Sequence, residues 1–589
     1  MSARQHCSAP SPDLVTRISV PQSAHLYRFP TWFIPNLRSS SGADESMLAP
    51  DYTVEACYSS IVSSGAESAS SMEDSVNLAM LVDIPALIAP SAPALVGADK
   101  VDFAGLRSAI GRGAGFLRGL GIAAGDRVGI LSTNSVEYVE IILAAAAMAA
   151  VPVPLNLRAR PSEIAHLLRD CGAKVVLAES RYENMVRGVL PTTVEHVVIV
   201  DSDAESGWRA ASSKAPDLAE LAEVDDRDTA ILLYTSGTTA LPKGVMLTHG
   251  ALTDYVMGRA EPADGADHGR MLVAAPFHHI AGITSMLGAL YSGRTVVLLP
   301  QFEADTWLDL VERERVTHAF VVPTMLARLI AHPGFAKRDL SSLEVVTYGA
   351  APMPSTVIRR ALYLFPPSVE FSQAYGQTET TSTVSVLTPE DHRMEGSPDV
   401  IAKKLRRLSS VGRAVDDVEM RIVDQNGAVQ GPGERGEVQL RSARHMTGYW
   451  GAGGARTAET LDDAGWIHTG DLGYLDDDGY LFLGGRAGDL IIRGGENISP
   501  EEVESAVYEH PDVVEVGVVG VPDEVWGERV VAAVVRREGS QLDAAALAAF
   551  CGTRLAGYKR PERFVFLHQL PRTSTGKLLR RDLPDLIAD

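Results

Sequence analysis

The chain has 589 residues, more than one ordinary hydrophobic core organises, so two or more domains are expected. Its composition, 46% hydrophobic and 22% charged, is that of a globular protein, and a net charge of −22 argues against nucleic acid, whose phosphates it would repel. The four cysteines, Cys7, Cys57, Cys171 and Cys551, form no CxxC and no cluster, which suits a reducing compartment and leaves no cysteine zinc site.

Residues 1–71 are rich in Ser, Pro and Ala and lack sustained periodicity. Segments such as SSSGADES cannot bury enough apolar surface to offset ordering entropy, so a disordered leader is expected, with Met72 opening the patterned chain. No charged stretch followed by an apolar one marks a secretory signal, and the longest apolar run, 141–153, is too short to span a bilayer. A cytoplasmic location is expected.

From about residue 75 to 485, strands and helices alternate. The pattern predicts strands over 127–132, 174–178, 230–233, 272–275, 295–299 and 319–322. Helices are predicted over 136–150, running into a turn VPVPLN, and over 304–314. This is α/β layering with largely parallel sheets. GRGAG at 111–115 does not complete GxGxxG and sits inside a helical pattern, so it reads as a packing feature. DDDG at 476–479, between two apolar runs, reads as a hairpin turn rather than a calcium loop. From about 489 the pattern changes. Ser499-Pro500-Glu501-Glu502 is a helix start, with Ser499 as N-cap and Pro500 in the first turn. Val503, Ala506 and Val507 share the face that follows. Strands over 513–519, 530–535 and 564–567 and a helix over 544–555 complete a small α+β domain of about 100 residues.

The run YTSGTTALPKG at 234–244 carries the most chemistry. Directly after an apolar strand it gathers hydroxyls, glycines and Lys243, donors suited to cradling a polyphosphate. It is not a Walker A loop, since GxxxxGK[ST] is absent. Three further motifs follow: YGQTE at 375–379, TGDLG at 469–473 and PRTSTGK at 571–577. In this order the four resemble the adenylate-forming superfamily of acyl-CoA synthetases, aryl-CoA ligases, luciferases and peptide-synthetase adenylation domains. The resemblance spans about residues 75–585 and is greatest to bacterial fatty-acyl-CoA synthetases.

Beyond the expected leader (1–71), the resemblance implies a large adenylation domain with layered sheets (72–487) and a small, mobile C-terminal α+β domain (488–589). ATP, magnesium and coenzyme A are the implied cofactor and co-substrates. The partners are small molecules, and a homodimer is compatible with the family. Thr235, Ser236, Gly237, Thr238, Thr239 and Lys243 would hold the β- and γ-phosphates. Ala240 stands where the family generally has Gly, which would strain a Gly-only backbone angle. Glu379, with Thr235, would hold magnesium through one carboxylate plus phosphate oxygens. Thr378 would donate to the α-phosphate, and Tyr375 and Gly376 would face adenine opposite Gly349, Ala350 and Ala351. Asp471 and Arg486 would contact the ribose, since a carboxylate accepts two hydroxyl hydrogen bonds. Lys577 would bridge the substrate carboxylate and the nucleotide. The implied pivot is Gly488, where the family commonly has Asp or Lys, and Gly494 and Gly495 would line the pantetheine tunnel. His279 would stand at the wall between acyl pocket and tunnel, and the adjacent His278 does not make a metal pair with it.

The segments implied to line the acid pocket, 277–283, 321–325, 348–353 and 380–384, are apolar or small. They offer neither an aspartate for an α-ammonium nor an arginine for a second carboxylate. A medium- or long-chain aliphatic acid is expected. An aryl-CoA ligase of benzoate or coumarate type, and loading of a separate carrier protein, are the alternatives. A non-catalytic relative is disfavoured by Lys243, Glu379, Asp471 and Lys577 occurring together.

Overall fold

The computed structural model describes residues 76–218, 220–235, 242–451, 454–573 and 577–588. The expected leader over 1–71 lies outside the described residues.

The largest sheet has nine strands. Its centre is parallel, in the spatial order Glu370–Gln377, Val345–Gly349, His318–Val321, Arg270–Val273, Thr295–Leu298 and Pro93–Val96, with antiparallel strands at each edge. A second sheet, Val151–Pro154, Arg127–Leu131, Val175–Ala178 and His196–Ile199, is wholly parallel. The predicted strands of both sheets are found within one or two residues of their expected ends, and the helix Ala304–Glu314 matches its expected bounds.

Two expectations need correction. VPVP is not a turn but the strand Val151–Pro154, paired in register with Arg127–Leu131. It lies at the sheet edge, where prolines can sit because no further strand needs their missing N–H groups. The preceding helix stops at Ala147, earlier than expected, because Ala149 takes a left-handed φ of 58°. The parallel reading also covers only part of the chain. Thr229–Thr235, Lys243–Thr248 and Gly448–Tyr449 form an antiparallel sheet, as do Glu419–Val423, Gly436–Arg441, Ile467–Leu475 and Leu481–Arg486.

The GRGAG segment packs as expected, within the helix Phe103–Gly119. A Cβ at Gly111 would lie 1.8 Å from Asp217 Oδ1, and one at Gly115 would lie 1.9 Å from the Pro216 carbonyl. The glycines therefore let the 216–218 segment lie on the helix backbone. DDDG is the expected hairpin turn, closed by Gly479 N–H to Asp476 O at 2.9 Å.

Beyond Arg486 the chain changes sheets through a short 3-10 turn, Ala487–Asp489. The next sheet contains Ile491–Arg493, Glu496–Ile498, Gly527–Arg536, Val513–Asp523 and Arg563–Phe566. Ser499 caps the helix Pro500–Tyr508 by accepting the Glu502 N–H. That helix buries Val503 and Val507 against Val518, Val530 and Val534.

Candidate active site

The carboxyl ends of the parallel strands Val345–Gly349 and Glu370–Gln377 lie side by side, the position where open α/β sheets place their ligands. Small residues are a steric need here. A Cβ at Gly349 would stand 2.2 Å from Ala374 O, and one at Gly376 would stand 1.7 Å from Ser382 O. Ala350 holds a left-handed φ of 66°.

Tyr375 projects from this edge to Asp471, donating its hydroxyl to Oδ2 at 2.6 Å. Gln377 Nε2 reaches the same oxygen at 2.8 Å and the Thr469 carbonyl at 3.1 Å. Asp471 and Arg486 face each other across neighbouring antiparallel strands, and Arg486 Nε donates to Asp471 Oδ1 at 2.8 Å. Asp471 is buried, and both of its oxygens have donors. Burial, and then the Asp471 charge, push the Tyr375 phenol well above its ordinary range, so it remains a donor.

Glu379 follows two residues after Gln377. Tyr449 donates its hydroxyl to Glu379 Oε1 at 3.0 Å, and the Lys243 ammonium stands 4.9 Å from the centre of the Tyr449 ring. The strands carrying Lys243 and Tyr449 are paired, so one sheet presents both to Glu379. Thr235 pairs with Lys243 at the base of the hairpin. Ser236, Gly237, Thr238, Thr239 and Ala240 lie outside the described residues. Among the described residues no group of three or more His, Cys, Asp or Glu could hold a metal. One carboxylate fits a magnesium ion that takes its remaining ligands from phosphates and water.

After Thr378 the chain turns sharply. The Thr378 carbonyl accepts the Thr381 N–H at 3.1 Å, and Thr381 and Ser382 hold φ of 49° and 77°. Arg444, 1% exposed, lies behind this turn. It donates to the carbonyls of Thr380 at 3.0 Å, Thr381 at 3.3 Å and Thr383 at 2.8 Å, and pairs with Asp417. This charge, absent from the sequence reading, is saturated by carbonyls and one carboxylate, so it is not offered to a second carboxylate of a substrate.

Lys577 stands on a hairpin. Thr573 N–H donates to Lys577 O at 2.8 Å, Lys577 N–H to Thr573 Oγ1 at 3.0 Å and Leu579 N–H to Pro571 O at 2.9 Å. Ser574, Thr575 and Gly576 lie outside the described residues. The Lys577 side chain is solvent-exposed and lies within electrostatic reach of Arg486 and Asp471. Loss of solvation, and then repulsion by Arg486, lower its ammonium pKa, while Asp471 and Asp489 oppose them. His279, the residue before the helix Ile280–Tyr291, lies within electrostatic reach of the same ammonium. Burial first, and then Lys577, lower its pKa to about 4, so the ring is neutral. Its ring lies 4.5 Å from that of His278.

The cleft thus gathers Tyr375, Glu379, Asp471, Arg486, Lys577, His279 and, through Tyr449, Lys243. Gly494 and Gly495, expected to line the pantetheine tunnel, lie in the sheet that follows Arg486. They form the two-residue tip of the hairpin Ile491–Arg493/Glu496–Ile498, with φ of 60° and 88°, a conformation that suits glycine. Sequence reasoning missed Gln377, Tyr449 and Arg444. Gln377 lay inside a recognised motif, whereas Tyr449 and Arg444 lay in no motif that had been singled out. Within the implied pocket segments Phe277, Ile283, Val321, Val322, Met325, Tyr348 and Val384 are shielded from solvent, whereas Ala350 and Pro352 are exposed and residues 380–383 all carry hydroxyls. Ser382, in the last of these segments, forms a hydroxyl pair with Thr284 at 3.3 Å.

Comparison with known proteins agrees with this geometry. Residues 85–450 match the model of the AMP-binding enzyme family, and residues 502–577 match that of the AMP-binding enzyme C-terminal domain. The chain is 38% identical to a feruloyl-CoA synthase of an Amycolatopsis species, over 83% of this chain and 94% of the relative. It is 35% identical to the long-chain-fatty-acid–CoA ligase FadD13 of Mycobacterium tuberculosis, over 82% and 92%. Among solved structures, ATP-bound MatB from Rhodopseudomonas palustris superposes with a TM-score of 0.78 at 28% identity, covering 88% of this chain and 99% of that one.

Proposed function

The chain belongs to the AMP-binding enzyme family, and on that premise we propose that the cleft around Asp471, Glu379 and Lys577 makes an acyl-adenylate and then a thioester. It is an AMP-forming acid–CoA ligase, and such ligases use ATP, Mg2+ and CoA. The observation that carries the assignment of roles is the Asp471–Arg486 pair at 2.8 Å, with Tyr375 and Gln377 on the same carboxylate and Lys577, from the end of the chain, within electrostatic reach.

In the first step a carboxylate oxygen attacks the α-phosphorus and the bond to the departing pyrophosphate breaks. Both reactants are anions, so the site must screen their repulsion. Lys577 is held where its ammonium can meet the substrate carboxylate and the nucleotide. Asp471 exchanges the Tyr375 and Gln377 donors for the ribose hydroxyls, while the Arg486 hydrogen bond keeps it oriented. Neutral His279 adds no charge to the acid-binding wall. Lys243 donates to the phosphates from the ring of Tyr449. Magnesium, when bound by Glu379 and the polyphosphate, supplies charge neutralisation. In the second step the CoA sulfur attacks the acyl carbonyl, the thiol proton leaves to solvent and AMP departs. The turn Ala487–Asp489, with Gly488 at its centre, is the proposed pivot between the two steps, with domains over 72–487 and 488–589 on either side.

The acid is proposed to be an aliphatic monocarboxylate of medium to long chain. Apolar buried residues line the pocket segments, and Arg444 is already saturated. A second reading, an arylpropenoic acid, is favoured by the feruloyl-CoA synthase relative and by the Thr284–Ser382 hydroxyl pair, which could meet a ring substituent. The roles are tested with Lys577→Ala. Its adenylation half-reaction should fall about 10²–10³-fold, as for loss of one preorganised charge donor. Transfer from preformed acyl-adenylate to CoA should be largely spared. Equal damage to both half-reactions would refute the assignment.

A further inference from the structure

Arg158 lies in the segment that leaves the edge strand Val151–Pro154. Its backbone is set by Asn156, whose Oδ1 accepts the Arg158 N–H at 2.9 Å. From there the guanidinium crosses to the C-terminal hairpin, and Nη1 donates to the Thr573 carbonyl at 3.2 Å. Thr573 is the residue whose N–H and hydroxyl hold the backbone of Lys577. Arg158 therefore reaches, through one intermediate residue, the backbone that carries the lysine, from a part of the chain more than four hundred residues away. The Arg158 charge also lowers the pKa of His278, after burial and His279.

We propose that Arg158 is a positioning residue that latches the Lys577 hairpin onto the large domain for adenylation and lets go when the small domain turns for thioester formation. The chemistry suits a latch. A charged donor on a backbone carbonyl is directional, so it fixes the hairpin in one place. Arg158 is exposed, Thr573 is half-buried and the bond between them is open to solvent, so water can take over each partner on release. A carbonyl acceptor cannot be lost by titration, which leaves the contact dependent on domain orientation alone. This inference rests on the role proposed for Lys577.

The test measures the two half-reactions separately in the full chain. Pyrophosphate release without CoA reports adenylation. Thioester formation from preformed acyl-adenylate and CoA reports the second step. Arg158→Ala should slow adenylation about tenfold, the scale of one charge-assisted hydrogen bond, while thioester formation is unchanged or faster. Arg158→Lys, which keeps the charge and one donor, should recover part of the loss. Because Arg158 is exposed, the melting temperature should stay that of the parent. Equal losses in both half-reactions, no loss in either, or a change confined to the KM for ATP would each overturn the latch. Lys577→Ala, run alongside, separates the two ideas. If it fails to damage adenylation selectively, the reading of the site fails. If it behaves as expected while Arg158→Ala does not, only the latch fails.

Discussion

Tyr449 donates a 3.0 Å hydrogen bond to Glu379, and the face of the same ring carries Lys243. One tyrosine thus joins the proposed metal ligand to the proposed phosphate cation. Burial, and then Glu379, raise its phenol pKa, so the hydroxyl stays protonated and acts only as donor. Tyr449→Phe keeps the ring under Lys243 and removes the bond. The loss of a hydrogen bond to a charged group predicts about a tenfold to hundredfold drop in kcat/KM for ATP. Excess magnesium should restore part of it, as it should for Glu379→Gln. Wild-type kinetics in Tyr449→Phe would show that Glu379 is oriented by other contacts.

Local pattern made much of the fold legible. The helix Ala304–Glu314 shows its apolar face every third or fourth residue, and the capped start at Ser499 is a local hydrogen bond. The prolines of Val151–Pro154 misled the reading because an edge position is a tertiary fact. The site divides in the same way. Glu379, Asp471 and Lys577 stand in recognisable motifs. Tyr449 and Arg444 act on residues 70 and about 60 positions away, so their roles exist only once the sheets are assembled.

His249 makes stability depend on pH. It is buried, and its Nδ1 accepts the Leu78 N–H at 3.0 Å. Burial lowers its pKa from 6.5 to about 4, against a weaker opposing pull from Asp228. Between these values the unfolded chain binds the proton and the folded chain does not. The stabilisation is therefore complete above 6.5 and is lost as pH falls through about 4. Such a shift corresponds to roughly 3 kcal/mol. The melting temperature should fall steadily over that window, and His249→Gln, which can accept the same N–H without titrating, should show a shallower slope. Parallel curves would assign the acid sensitivity to other groups.

The core begins soon after Met72. Asn77 Nδ2 donates to the carbonyls of Ala146 and Ala222, each at 3.0 Å, and Leu78, Leu81 and Val82 are almost wholly buried. A chain opening at Met72 keeps these contacts, whereas one opening at Asp83 loses them. Burial of each such side chain contributes about 1.5–3 kcal/mol, so the shorter chain should lose several kcal/mol and melt well below the longer one. Equal melting temperatures by calorimetry would mean that the segment adds nothing to the large core.

The substrate separates the two readings of the acid. With apolar walls and no free charge at the pocket segments, selection among aliphatic acids is governed by transfer from water, at about 0.8 kcal/mol for each buried methylene. Each added carbon should then raise kcat/KM roughly fourfold until the chain meets the end of the pocket. The measurement is kcat/KM for CoA-thioester formation across straight-chain acids from acetate upward, with benzoate, 4-coumarate, ferulate and phenylalanine alongside. Fatty acids of medium to long chain should exceed acetate and benzoate. Phenylalanine should be inert, because no carboxylate in those segments meets its ammonium. A flat aliphatic series with a clear preference for ferulate or coumarate would sink the fatty-acid reading. It would move the Thr284–Ser382 pair to the centre of specificity, and Ser382→Ala should then weaken the hydroxylated aromatic acid more than an unsubstituted cinnamate.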